Sequence, residues 1–595
     1  MSQEQNKDMS QYFYRASAAD FMKIPGSPVA YWASANLVDS FSKLPLLKSI
    51  ANPHQGMATT NNDLFLRRWY EVSQSLCKVN SLSLLEAKNS PARWFPIDKG
   101  GEYRKWYGNN EFMVNFQYGG KDLCEYIDKN SNVGASGRVI NREKYFLPGV
   151  TWSAISSSFF SVRYTGHGHT FSNAGMKVFH ENAQSLKSVC ALLNSKVTVE
   201  IVKCLSQTLN FDQGIIARIP TTLPPEASLL AEQAIGLAEH DWDEREDSWN
   251  FKISPLILNH VPENLITTSY KNLRENWLNT THKLVGIEQE NNFLFVEAYG
   301  LQDELTPEVP LAEITLTCNP HYRYGGNRSE EELETLLQCD TLKELVSYAI
   351  GCMMGRYSLD KPGLILASQG ETLQDYLRQI PAPRFTPDDD AILPLTDQEW
   401  FTDDATNRFR EFIREVWGEE HLQQNLDFVA ESLCLHAIKL KKGESSLDTI
   451  RRYLSTQFFK DHLRTYKKRP IYWLFSSGKH KAFECLVYLH RYNEGTLARM
   501  RTEYVIPLTA KLANYAAKLE KDLEASTSTA EKKRLEKELT TLHNQQAELA
   551  AFDEKLRHYA DQRISLDLDD GVKLNYGKFG DLLAEVKAVT GGASE

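Results

Sequence analysis

A broken leucine ladder near the C-terminal end constrains this chain most. Leu508, Leu512, Tyr515, Leu519 and Leu523 recur at three- and four-residue spacing, the polar run Ser526 to Thr529 interrupts, and Leu535, Leu539, Leu542, Leu549 and Leu556 resume the pattern. Two apolar stripes of that period joined by a short polar break predict a helical hairpin. Glu531, Lys532, Lys533, Arg534, Glu536 and Lys537 keep its outer face solvated. Such a pair serves as a spacer that clamps another domain, as a docking surface for another subunit, or as a pair packed on its own domain. The ladder leaves all three open.

Elsewhere the period changes. Phe160, Val162 and Tyr164 alternate, the two-residue signal of a strand. Leu186, Val189, Cys190 and Leu193 have helical spacing, as do Leu342, Leu345, Val346, Ala349, Ile350 and Met353. From 226 to about 300 the pattern is helical and rich in Trp and Leu, and a mixed segment follows to about 400. A chain of 595 residues accommodates about three to five domains. With 42% hydrophobic and 11% aromatic residues it is not a disordered chain. No apolar run approaches the roughly 20 residues that span a bilayer, and MSQEQNKDMSQ has no basic-then-apolar leader. A cytoplasmic protein without membrane contact is expected. Nine cysteines without a Cys-x-x-Cys pair read as reduced thiols.

Two segments set cations among aromatic rings. In WFPIDKGGEYRKWYG (Trp94 to Gly108), Lys99, Arg104 and Lys105 flank a Gly pair, so phosphate-binding charge and flat stacking faces share one loop. Lys460, Arg464, Lys467, Lys468 and Arg469 precede Ile471, Tyr472 and Trp473. The latter run suits phosphate contact, or equally a charged helix end before a buried strand. The net charge of −11 opposes a DNA-wrapping protein, but between Arg93 and Thr170 ten Lys or Arg face seven Asp or Glu. His167 and His169 lack a third ligand and read as a polar loop. Asp567, Asp569 and Asp570 before Gly571 lack the rest of a calcium loop and read as a tight turn.

Several runs in order resemble a known family. GMATTNNDLFLRRW (Gly56 to Trp69), WFPIDKGGEYRKWYG, TWSAISSSFFSVRY (Thr151 to Tyr164), LLNSK (Leu192 to Lys196) and IARIP (Ile216 to Pro220) resemble target-recognition domains of adenine-specific DNA methyltransferases and related specificity subunits. GRYSLDKPGLILA (Gly355 to Ala367), YKKRPIYWLFSS (Tyr466 to Ser477) and DLDDGVKLNYGKFG (Asp567 to Gly580) look like the PglX methyltransferases of bacteriophage-exclusion (BREX) systems. In that family the methyl-transfer domain lies N-terminal to these motifs. QYFYRASAADFMKIPGSPVAYW (Gln11 to Trp32) resembles the segment that follows it.

The resemblance implies an α+β chain: a mixed α/β target-recognition domain, then mostly helical domains and a C-terminal helical hairpin. The expected divisions are a lead-in from a catalytic domain (1–44), a DNA target-recognition domain (45–225), a mixed helical domain (226–400), an α/β domain with the basic patch (401–500), and the hairpin with the C-terminal segment (501–595). It further implies LLNSK within a helix beside the recognition sheet. The expected function is sequence-specific recognition of double-stranded DNA for adenine-N6 methylation in phage defence. A catalytic half and other BREX components would be partners. Asn61, Asn62, Lys99, Arg104, Lys105, Arg138, Arg142 and Arg163, with Lys467, Lys468 and Arg469, are the candidate DNA contacts.

Amino-methyltransferases also need a Gly-rich strand-to-helix turn for S-adenosylmethionine and an Asn/Asp-Pro-Pro-Tyr/Phe loop for the adenine amino group. Neither is intact. Asn319-Pro320-His321-Tyr322 and Asn52-Pro53-His54-Gln55 come nearest and read as structural turns. No cofactor or metal site is therefore expected in this chain, and S-adenosylmethionine is assigned to the family's missing catalytic domain. Two alternatives stand beside this reading: a complete or degenerate methyltransferase using Asn319 to Tyr322, and a protein-interaction subunit of a defence complex.

Overall fold

A computed structural model describes residues 17–156, 158–206, 208–259 and 265–591. The first sixteen residues, with Gln11 to Ala16 of the lead-in, and Ser157 of the TWSAISSSFFSVRY run lie outside them. The chain divides into two compact units, each drawn from three stretches. Unit 1 comprises Met1–Leu66, Lys78–Trp242 and Trp277–Gly326, and unit 2 comprises Arg67–Cys77, Asp243–Asn276 and Asn327–Glu595. Among the described residues no helix is long and apolar enough to cross a membrane.

Unit 1 is built on short strands. Gly149–Ser153 lies between Val162–Thr165 and Gly175–Val178, antiparallel to both, and Pro53–His54 pairs with the outer side of Gly175–Val178. In a second sheet Trp94–Asp98 pairs antiparallel with Phe112–Asn115 and parallel with Thr170–Phe171. Aromatic rings fill the core beside this second sheet: Phe95, Phe116, Tyr145, Phe146 and Phe171 are buried together. They meet edge to face, with Phe116 and Tyr145 centroids 5.7 Å apart and Tyr145 and Phe171 5.5 Å apart.

The Val162 strand corrects the simple alternation. Phe160 and Val162 are buried as expected and Tyr164 is half-buried, but Ser161 and Arg163 on the opposite face are buried too. The strand is covered on both faces, and Arg163 is only 1% exposed. LLNSK is also placed differently from the resemblance. Ala183–Leu193 is a helix, and Lys196–Leu205 is the next. Asn194 and Ser195 are the break between them. The Asn194 side-chain amide accepts from the Val162 N–H (3.0 Å) and donates to the Val162 carbonyl (3.1 Å), so it supplies the strand with both partners of a peptide group. Ser195 caps the second helix through the Thr198 N–H.

In unit 2 the helix Glu330–Met353 starts with a Ser329–Glu332 capping box and buries the expected Leu342, Leu345, Val346, Ala349, Ile350 and Met353. An antiparallel sheet aligns Tyr472–Ser476 with Glu484–Tyr488, and Ile392–Pro394 lies on the other side of the latter. Tyr472 and Trp473 are buried strand anchors. The leucine ladder forms the helices Ile506–Ala525 and Thr529–Asp561, with Leu512, Leu519, Leu542, Leu549 and Leu556 buried. This pair packs on its own unit. Glu548 accepts from the Ser477 hydroxyl (2.7 Å) and from the N–H groups of His480 (2.7 Å) and Ala482 (3.1 Å), fixing the turn between two sheet strands. Asp567 accepts from the Asp569 N–H, a local turn as expected.

Arg356 is fully buried in unit 2. Its Nε donates to Tyr357 Oη (3.2 Å), its Nη1 to Tyr488 Oη (2.9 Å), and its guanidinium lies 5.4 Å from the Trp69 ring centroid. Its charge also acts on buried Glu246, whose carboxyl burial pushes up and Ser347, Arg356 and Tyr466 oppose. Glu246 keeps its own hydrogen bonds from the Ser347 (2.6 Å) and Tyr466 (3.0 Å) hydroxyls. Arg356→Met removes two charged donations inside the unit and should cost about 2–3 kcal/mol, whereas Glu246→Gln, which removes a carboxyl that burial already disfavours, should cost less. Urea titration followed by circular dichroism checks both.

Candidate nucleic-acid interface

Asp98 ends a core strand, and the Gly loop begins at the next residue. The Asp98 carboxylate lies 2.7 Å from Lys177 Nζ and 3.0 Å from His169 Nδ1, and both partners are buried. Its backbone carbonyl accepts from the N–H (3.1 Å) and the hydroxyl (2.9 Å) of Ser172. A Cβ at Gly175 would lie 2.4 Å from that carbonyl, so glycine is required for the approach. Burial alone would raise the Asp98 carboxyl. The charges of Lys177 and His169 overcome it and hold the group well below the ordinary aspartate range. His169 thus belongs to this ion cluster, while His167 Nδ1 meets the Phe146 carbonyl at 3.2 Å. Among the described residues no group of three His, Cys, Asp or Glu could hold a metal.

From that fixed point the chain turns outward. Gly100 and Gly101 adopt φ of 84° and 147°, values that L side chains rarely adopt. Ser153 Oγ accepts from the Gly101 N–H at 3.0 Å. Lys99 Nζ donates to Asn62 Oδ1 (3.2 Å), which also accepts from Thr59 Oγ1 (2.5 Å). Partial burial pushes the Lys99 ammonium below the usual lysine value. Asn61 is spent locally: its Oδ1 caps the next helical turn at the Leu64 N–H, and its Nδ2 donates to Tyr126 Oη (3.2 Å). Arg138 joins the same neighbourhood through its carbonyl, which accepts from the Ala58 N–H (2.8 Å), and its side chain is exposed. Arg142 is half-buried, donates to the Gly119 carbonyl (2.5 Å) and lies over the Phe116 ring. Asn61, Asn62, Lys99 and Arg138 therefore share one end of unit 1.

Three cations expected at the DNA surface are interior instead. Arg104 pairs with Asp241 at 3.3 Å, donates to Thr317 Oγ1 at 2.8 Å and lies 5.0 Å from the Trp242 ring centroid. Lys105 meets Glu288 at 2.6 Å. Burial would lower its ammonium, but Glu288 outweighs this and raises it. Arg163 donates to the Arg104 carbonyl, and burial pushes its guanidinium down to about 10. A buried ion pair broken by a ligand leaves an uncompensated charge, so Arg104 and Lys105 act on the fold, and Arg163 is too deeply buried to meet a surface ligand. The sequence missed this because their carboxylate partners stand far away in the chain. The signal available was acidic residues, Asp241 and Glu288, within apolar helical stretches.

In unit 2, Lys467 and Lys468 adopt φ of 49° and 60°, and Lys468 is exposed. Arg469 is half-buried, 3.9 Å from Glu71, and donates to the Val589 carbonyl (3.3 Å). These residues form the turn before the Tyr472 strand.

The two loops nearest to methyltransferase motifs have their polar atoms committed within the fold. Gly119 and Gly120 follow a strand, but both N–H groups donate to the Phe116 carbonyl, and the Gly119 carbonyl is taken by Arg142. The Asn319 amide is also committed. Its Nδ2 donates to the Leu311 (2.7 Å) and Ile314 (2.8 Å) carbonyls, and its Oδ1 accepts from the His321 N–H. Tyr322 Oη donates to the Tyr103 carbonyl at 2.5 Å. Asn319 to Tyr322 is a capped helical turn.

Asp98→Asn should cost about 3–5 kcal/mol by stranding Lys177, and Asp98→Asn with Lys177→Met should recover much of it. The folded Asp98 carboxyl lies below its ordinary value of 3.8, so its stabilisation is complete above that pH and is lost as pH falls below it. Urea midpoints between pH 3 and 7 should show less acid sensitivity in the double variant.

No family model matches the chain. It is 48% identical over 582 residues to the adenine-specific methyltransferase BrxX of Escherichia coli O9:H4 (strain HS), an alignment that covers 97% of this chain and 46% of BrxX. It is 36% identical over 587 residues to the adenine-specific methyltransferase PglX of Lacticaseibacillus casei (strain Zhang), covering 96% of this chain and 46% of PglX. The chain thus spans less than half the length of the curated relatives it matches, and along nearly all of its own length it is similar to one part of adenine-specific methyltransferases.

Proposed function

We propose that this chain is the sequence-specific DNA-recognition part of a BREX-type adenine-N6 DNA methyltransferase, acting in phage defence and host DNA methylation. The observation that carries the reading is the end of unit 1 where exposed Asn62 and Arg138 accompany half-buried Lys99. There a Gly loop fixed by a buried ion cluster presents Lys99 beside Asn62, with exposed Arg138 in the adjoining segment. Cations on a rigid base position a phosphate backbone, and the exposed Asn62 amide suits a base edge. Similarity along nearly the whole chain to part of two adenine-specific methyltransferases supports DNA as the ligand. Methyl transfer, and the binding of S-adenosylmethionine, would fall to the remainder of such a protein. Partners would be that catalytic part and other BREX components.

Lys468 and Arg469 of unit 2 are proposed as secondary phosphate contacts, with Lys467 in the same turn. The alternative methyltransferase site at Asn319 has less support, since every polar atom of that amide is used within the fold.

Titration with duplex DNA at several salt concentrations tests the reading. Lys99→Ala with Arg138→Ala should weaken binding and flatten the plot of log affinity against log salt by about 0.9 for each phosphate no longer neutralised. Arg104→Ala should instead lower the unfolding midpoint. Absence of duplex binding by the folded wild type at low salt would overturn the proposal. Calorimetry with S-adenosylmethionine should show no binding to this chain.

A further inference from the structure

Beyond the Lys99 loop, unit 1 has a cavity of about 640 Å³. Its rim carries Trp32, Phe159 and Leu209, and Phe160 and Phe211 form part of its wall. Phe160 and Phe211 are buried and packed edge to face at 5.2 Å. Phe159 is 50% exposed, and neighbouring Ile155 is 76% exposed. Large rings left half in water around a concavity of ligand size mark a binding site.

The cavity lies beside the loop that begins at Lys99. Phe159 packs against Tyr103 with centroids 6.0 Å apart. Tyr103 ends the loop that starts at Lys99, and four residues reach at most about 13 Å. A strand whose phosphate sits at Lys99 therefore brings bases a few steps away to the cavity mouth. Lys203 also lines the cavity, paired at 2.7 Å with Glu200 on the surface, where such pairs exchange readily for a phosphate. Rings for a flat π-face, a lysine in the lining and a second lysine at the start of the loop that carries Tyr103 are the parts of a stacking platform for nucleic acid. Apolar protein side chains would use the rings but not the lysines.

We propose that this cavity takes an unstacked nucleobase of DNA held at the Lys99 loop, an inference that rests on the DNA-recognition reading above.

A pair of duplexes tests it: one fully paired with 2-aminopurine at a central position, and one with that base mismatched, so that unstacking costs less. The mismatched duplex should bind about tenfold more tightly, and its 2-aminopurine fluorescence should change on binding. Phe159→Ala should remove the preference while leaving affinity for the paired duplex, and Phe159→Tyr, which keeps the ring, should retain it. Lys99→Ala should weaken both duplexes alike. Matching unfolding midpoints would show that the exposed Phe159 variants fold. Equal affinity for the two duplexes, or a preference that survives Phe159→Ala, would overturn the cavity inference while DNA recognition stands. Loss of all DNA binding in the wild type would overturn both. If the cavity seats an apolar segment of a protein, Phe159→Ala leaves DNA binding and 2-aminopurine fluorescence unchanged, which also counts against it.

Discussion

Asp98 is a carboxylate removed from water and held by a lysine and a histidine at once. Its partners come from the two sheets of unit 1: His169 immediately precedes the short strand paired with the Asp98 strand, and Lys177 lies on the strand beside Gly149–Ser153. The cluster therefore ties one sheet to the other through charge. Hydrophobic contact alone tolerates sliding, because it is roughly proportional to area and has no direction. Oppositely charged groups held 2.7 and 3.0 Å apart away from water do not, and so the cluster fixes the two sheets against each other where the chain leaves the core for the surface.

Helical parts of this architecture were legible in the sequence because their signal is local. The helix Glu330–Met353 buries the residues that three- and four-residue spacing selects, and the hairpin buries most of them, with Tyr515, Leu523 and Leu539 half-buried. Strands and buried charge were less legible. Alternation at Phe160, Val162 and Tyr164 implies a solvent face for Arg163, yet a strand covered on both sides has none. Arg104 and Lys105 looked like surface cations because Asp241 and Glu288 stand 137 and 183 residues away. Local composition cannot distinguish a cation awaiting phosphate from one already matched inside.

The same reasoning accounts for the division into units. Each is assembled from three separate stretches, so a linear sweep for changes in composition finds modules but not their partners. The resemblance carried more information, since it identified which loops recur in order. It could not say that LLNSK is a break between helices. There a side-chain amide completes the hydrogen bonding of a neighbouring strand, a role that requires the tertiary structure to be seen.

The fixed carbonyl of Asp98 has a consequence for how such a protein changes over generations. Residues from Lys99 onward begin at an anchor whose stability comes from Ser172, Lys177 and His169, none of which lies in the loop itself. Substitutions in the exposed part of the loop can therefore alter what the surface offers a ligand without drawing on the energy that holds the sheets together. Foundation and fitting are separate parts, so a change in the second leaves the first in place.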